Sequence, residues 1–359
     1  MMAPLTAGPF THSARSVPAT MGWVILALLP ATLFGLWHYG WPAIFLFLVT
    51  IIAAIVAEAL SLKIAAKPIK PALLDGSALL TGWLLALTLP PWAPWWIGVV
   101  GSLLAIVIAK QLFGGIGQNL FNPAMVARVA LLISFPLEMT QFYAPMPLFS
   151  PSAPGFLEGL QITFFGVGHY DAVSSATTLG YLKTELGREI PLSQAESGVA
   201  SISSMAWGDS AGSLGEGSAL LLLLGGGWLL YKKVISWHIP VAMLLTILIL
   251  AALFHWIDSE RYVGPLYHLL SAATMLGAFF IATDLVTSPV TRTGQILFGA
   301  GCGLLTFVIR TWAGYPEGVA FAVLLMNGAT PLIDHYIKPR IYGRDRHGQP
   351  LNRRSPEES

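Results

Sequence analysis

The sequence predicts an all-α integral membrane protein, with about ten transmembrane helices in two inverted five-span halves and a polar loop domain between them. Three observations carry this. Apolar runs of membrane-helix length recur along the chain, Lys and Arg gather on alternate connections, and part of the first half recurs in the second. Composition agrees: of 359 residues, 55% are hydrophobic and only 10% charged, against about 25% charged in soluble domains. A net charge of +1 gives no sign of a nucleic-acid partner. The single cysteine, Cys302, has no intrachain disulfide partner, and alone it cannot ligate an iron–sulfur cluster, which takes about four thiolates. Any redox role therefore needs an organic cofactor or partner subunits, and no metal site is expected.

In chain order, residues 1–20 form a polar N-terminal arm. The first membrane half, 21–138, holds apolar runs at 22–38, 42–62, 77–90, 92–109 and 123–138. A span needs about 20 apolar residues, so 77–90 is expected to be broken or tilted. The first run is long for a signal-peptide core and is read as a retained span. Segment 139–218 is polar. The second half, 219–335, holds runs at 219–235, 238–256, 264–283, 295–312 and 317–333, and a basic tail occupies 336–359.

Lys and Arg mark cytoplasmic connections. Lys63, Lys67, Lys70, Lys110, Lys232, Lys233, Arg292 and the tail from Lys338 to Arg354 fall on one side if the N-terminus is cytoplasmic. The opposite side takes 139–218, whose seven acids face Lys183 and Arg188. Only Arg310 leans the other way. Both termini are thus expected in the cytoplasm, with 139–218 outside it.

The halves look related. GSLLAIVIAKQLFGG (101–115) lies over GCGLLTFVIRTWAGY (301–315), pairing Lys110 with Arg310 and Gly114 with Gly314. LTLP (87–90) lies near VTSP (286–289), and NPA (122–124) near NGA (327–329). An odd number of spans per half makes the second copy inverted, an arrangement that builds midplane sites from interrupted helices.

Within the outer segment, DAVSSATTL (171–179) offers small residues around threonine hydroxyls. A hydroxyl is a weak nucleophile, so esterifying it needs an outside enzyme, and that enzyme needs an exposed acceptor with small neighbours. Ser174, Ser175 and Ala176 supply the neighbours and Asp171 a charged handle. On the residues alone, a plain Ser/Thr-rich loop is the stronger reading.

FGGIGQNLFNPA (113–124) sets Gly114 and Gly115, which permit close backbone approach, beside Asn119 and Asn122, which can bond a cofactor edge. A tight interhelical turn explains it equally well. Asp284 stands where an apolar run breaks into Thr, Ser and Pro; an interfacial acid is the simpler reading, an ion path the sharper one. Glu58 and Arg128 share that ambiguity. His238, His255 and His268 lack metal-ligand spacing and read as interfacial, as do Trp92, Trp95 and Trp96.

These stretches carry a resemblance. DAVSSATTL, DGSALLTGWLLALTLPPWAPWW (75–96), AKQLFGGIGQNLFNPAM (109–125), GPLYHLLSAATMLGAFFIATDLVT (264–287) and GYPEGVAFAVLLMN (314–327) are similar to the D-subunit family of Rnf ion-translocating electron-transport complexes, called Rsx in some bacteria. The related B subunit of the sodium-pumping NADH:quinone reductase is similar too. The likeness covers about residues 5–345. It implies an S-x-A-T motif whose threonine, here Thr177 and not Thr178, takes FMN through a phosphoester installed by an FAD-dependent flavin transferase. Sodium-pump relatives usually have Gly where Ser175 stands. It also implies a second, non-covalent flavin (riboflavin) in the membrane domain, which Gly114, Gly115, Asn119, Asn122 or Asp284 could border. The implied protein is an electron-carrying subunit in a bacterial inner membrane, partnered by other Rnf-type subunits and lipid, within a ferredoxin- and NAD-linked or regulator-reducing chain. It would have no complete active site of its own. Outside the resemblance, a secondary transporter or channel suits inverted repeats equally, and a docking scaffold is a third reading.

Overall fold

The computed structural model describes residues 16–166, 177–271, 273–315 and 317–339. All regular structure among them is helical, and every predicted apolar run meets a helix. Four helices are long and apolar enough to cross a bilayer: Val17–Ile64, Trp95–Phe113, His238–Ile257 and Arg292–Trp312. With shorter apolar helices at Ser77–Thr88, Pro123–Ser134 and Ala219–Tyr231, the architecture is that of a multi-pass membrane protein.

Where runs and helices differ, the reasons are local. Runs 22–38 and 42–62 fall on one element, Val17–Ile64. At 1.5 Å per residue its 48 residues would extend about 72 Å, far beyond a bilayer core of about 30 Å. It is broken at Gly40 (φ 72°, ψ −158°), a conformation that favours glycine, which divides it into two arms. Ser77–Thr88 has only 12 residues, the short helix expected. Run 264–283 is interrupted: helix Pro265–Leu270 stops, Ala273 takes φ 51°, and helix resumes at Thr274 before a π-helical stretch at Gly277–Ile281.

Backbone freed by such a break needs partners inside a membrane protein. The His268 carbonyl receives Thr274 Oγ1 at 2.8 Å and an Arg310 guanidinium nitrogen at 2.7 Å. Arg310 is therefore a buried structural cation, which explains its departure from the loop-charge pattern. Its repeat counterpart Lys110 is also buried, so it is no cytoplasmic loop charge either. Its ammonium donates to Glu58 Oε1 at 2.9 Å and to Ser77 Oγ at 2.7 Å.

The first-half helices pack around Val17–Ile64, and His238–Ile257 packs on Arg292–Trp312. The halves meet where Val17–Ile64 touches Ala219–Tyr231 and where Pro123–Ser134 touches Val319–Tyr336. A glycine allows that seam: a Cβ at Gly225 would collide with the Ala27 carbonyl. The asparagines that the repeat aligned also meet there, Asn122 N–H donating to Asn327 Oδ1 at 3.2 Å.

Segment 139–218 has its own small core of Leu179, Leu182, Leu192, Ala195 and Met205 against Tyr267. It is fastened at the Gly40 break, where the Tyr39 hydroxyl donates to Ser210 O and accepts from Gly212 N–H, both at 3.2 Å. Trp92 joins that fastening and does not form part of an interfacial belt. It is buried, donates Nε1–H to Tyr39 O at 3.1 Å and stacks on Tyr143. Trp95 is exposed and Trp96 half-buried against Phe135. His268 is likewise buried and not interfacial, whereas His238 and His255 are only partly buried.

Candidate functional site

Two regions gather the predicted residues. The first surrounds Thr177. Asp171, Ser174, Ser175 and Ala176 lie outside the described residues. Thr177 is the N-cap of helix Thr178–Gly187, its extended backbone turning into the helix while Oγ1 accepts the Gly180 N–H at 3.2 Å. Thr178, one residue into the helix, is buried at 7% exposure, and Thr177 itself is 5% exposed. The acceptor was expected on an open loop; it instead lines a cavity of about 370 Å³.

That cavity's polar wall is Arg128, Lys183, Tyr315 and Glu317. Arg128 and Glu317 form an ion pair at 2.5 Å, the arginine almost fully buried. Lys183, two turns along the helix that Thr177 caps, donates to the carbonyls of Arg310 and Ala313 at the end of helix Arg292–Trp312. It thereby ties the Thr177 helix to the second half and satisfies two orphan carbonyls. Burial lowers the Lys183 ammonium below the ordinary lysine pKa. Thr177 thus stands at the positive end of a ten-residue helix with two cations in the adjoining wall, a setting suited to an anionic ester.

Arg128 and Glu317 also border a smaller polar cavity with Thr88, Ser213 and Glu216. Glu216 lies in the turn preceding helix Ala219–Tyr231 and accepts from Ser213 Oγ at 2.8 Å. Burial and then the neighbouring Glu317 push its carboxyl up to about 8, against the pull of Ser213, Arg128 and Arg310. Sequence reading flagged Arg128 but missed Glu317, Glu216 and Lys183. The available signal was charge set at the ends of apolar runs, which identifies an unusual residue without its partner.

The second region lies at the seam. A cavity of about 110 Å³ is lined by Asn119, Asn122 and Asp284, with Ser77, Lys110 and the rings of Phe279 and Phe280 among its other walls. Asn122 holds three elements together. Its Oδ1 caps helix Pro123–Ser134 by accepting from Ala124 and Met125 N–H, and its Nδ2 donates to Asp284 Oδ2 at 3.3 Å. Asp284 also accepts from Val286 N–H and Thr287 Oγ1, each at 3.2 Å. Gly114 and Gly115 are not part of this cavity. They form the turn after Gln111–Phe113 with φ of 119° and 110°, and the Gly114 carbonyl accepts from Lys67 Nζ at 3.0 Å. No group of three or more metal-ligating side chains occurs among the described residues.

Residues 5–343 match the family described as NQR2, RnfD, RnfE. The chain is 54% identical over 353 residues to the D subunit of the ion-translocating oxidoreductase complex of Halorhodospira halophila, covering 98% of each chain. It is 56% identical over 336 residues to the corresponding D subunit of Stutzerimonas stutzeri, covering 94% of this chain and 95% of that one. The D subunit of the Escherichia coli K12 complex is 44% identical over 361 residues, with 96% and 99% covered. With nearly its whole length matched, the chain belongs to the NQR2, RnfD, RnfE family.

Proposed function

We propose that this chain is the flavin-carrying membrane subunit of an ion-translocating oxidoreductase complex, with FMN joined to Thr177 by a phosphoester. The observation that carries the reading is Thr177 as the cap of a ten-residue helix, opening on a cavity of about 370 Å³ walled by Arg128 and Lys183. The helix terminus and the two cations suit a phosphodiester, and Tyr315, stacked on Phe321, offers an aromatic wall. FMN would supply the one- and two-electron chemistry; the chain's part is to hold it. A flavin transferase acts as maturation partner, since the chain shows no means of modifying itself. The family resemblance extends the reading to ferredoxin- and NAD-linked or regulator-reducing electron flow coupled to ion movement.

A second flavin, riboflavin, is assigned to the seam cavity, where Asn119, Asn122 and Asp284 supply donors and acceptors beside the Phe279 and Phe280 rings. The topology is ten spans in two inverted halves of a bacterial inner membrane, with both termini cytoplasmic and 139–218 periplasmic. The deciding experiment is the intact mass of the purified chain, coexpressed with a flavin transferase, and a fragment spectrum of the 171–187 peptide. A mass increment of one FMN less water on Thr177 is expected. An unmodified chain under those conditions overturns the flavin reading.

A further inference from the structure

A cavity of about 270 Å³ opens on the other side of helix Thr178–Gly187, between it, the connection around Arg261 and the end of helix Arg292–Trp312. Its walls carry Lys183, Arg261, His268 and Arg310 and, among the described residues, no carboxylate, with the Phe307 and Trp312 rings among the apolar remainder. Arg261 is exposed, while Arg310 and His268 are each 4% exposed. His268 Nδ1 has no hydrogen-bond partner among the described residues. Glu216 and Glu317 act on Arg310 electrostatically without lining this cavity. The Lys183 ammonium meets carbonyls only, among the described residues. A basic recess with low-dielectric walls and no acid of its own concentrates anions.

We propose that this cavity binds one phosphate-bearing anion, met by Lys183, Arg261 and Arg310, with Phe307 and Trp312 against its apolar part. Guanidinium groups suit phosphate because their donors match its oxygens in a planar fork. The chemistry is that of an anionic phospholipid headgroup or of free phosphate. The recess adjoins the end of a helix long and apolar enough to cross a membrane, and its aromatic walls suit the glycerol and first acyl carbons of a lipid. The site is separate from the Thr177 cavity except for Lys183, which borders both.

The test is native mass spectrometry of the full chain in neutral detergent, titrated separately with phosphatidylglycerol, phosphatidylcholine and inorganic phosphate. Phosphatidylglycerol is expected to bind about tenfold more tightly than phosphatidylcholine, because both carry the phosphate but the choline cation is repelled by Lys183, Arg261 and Arg310. Arg261→Gln, at an exposed position compatible with folding, removes the preference, and Arg261→Lys restores part of it. Arg188→Gln, which removes an exposed cation paired with Glu185 outside the cavity, leaves it unchanged. Saturable binding of inorganic phosphate, lost in Arg261→Gln and unaccompanied by a lipid preference, assigns the same site to a free anion. The proposal is overturned if neither lipid preference nor phosphate binding responds to Arg261→Gln, or if Arg188→Gln weakens them equally.

Discussion

Replacing Thr177 separates its observed role, capping a helix, from its proposed one, accepting a phosphoester. Helix Thr178–Gly187 has ten residues, a length at which isolated helices are marginal. It depends on the Thr177 cap, on Leu179 and Leu182 in the small core of segment 139–218, and on the Lys183 tether. Thr177→Val removes the acceptor of the 3.2 Å bond from Gly180 N–H at a cost of about 1 kcal/mol. That corresponds to about a fivefold rise in local opening. Thr177→Asp keeps a capping oxygen and places an anion at the helix start, so it retains stability, yet it cannot form the ester. Hydrogen exchange on protein made without transferase reads the cap alone. Amides of residues 181–186 should exchange about fivefold faster in Thr177→Val and no faster than wild type in Thr177→Asp. With transferase present, denaturing gels under ultraviolet light read the ester: wild type and Thr178→Val fluoresce, and both Thr177 variants are dark. Fluorescence from Thr177→Asp after SDS would refute the site assignment. Unchanged exchange in Thr177→Val would refute the capping argument.

Other perturbations probe the scaffold. Lys110→Met removes the cation paired with Glu58, whose side chain is 2% exposed and retains the Gln111 Nε2 donor at 2.8 Å, and should cost about 3–5 kcal/mol. The Glu58→Gln, Lys110→Met double variant should recover part of this in thermal unfolding in detergent, and strictly additive losses would show the two groups are uncoupled. Asn122→Ala removes both the helix cap and the bond to Asp284. It should release the acid-extractable flavin while leaving fluorescence at the subunit's mass; retention of both flavins removes the seam cavity from consideration. A reporter fused near residue 200 should be active only outside the cytoplasm, and one fused after Arg346 only inside it; reversal at either point overturns the ten-span topology.

The sequence by itself determined the membrane class and the positions of the helices. Apolar runs and their breaks are local properties, and each helix must satisfy its own backbone in lipid, so these are legible without knowing any neighbour. The sequence alignment also set Asn122 beside Asn327, and the two are joined by a hydrogen bond. The tertiary structure decided what each charge does. Lys110 and Arg310 look alike as flanking cations in the sequence. One is paired with a glutamate 52 positions away, and the other closes a helix break by bonding a carbonyl 42 positions away. Trp92 read as an interfacial ring and proved to be a buried fastening for segment 139–218. Thr177 was expected as an acceptor from its motif, but the helix it caps and the wall beside it, with Arg128 and Glu317 from 49 and 140 positions away, came only from packing. Partners brought together from so far along the chain leave no mark in local pattern. The cost of burying a charge dictates that a partner must exist, and only packing decides which one it is.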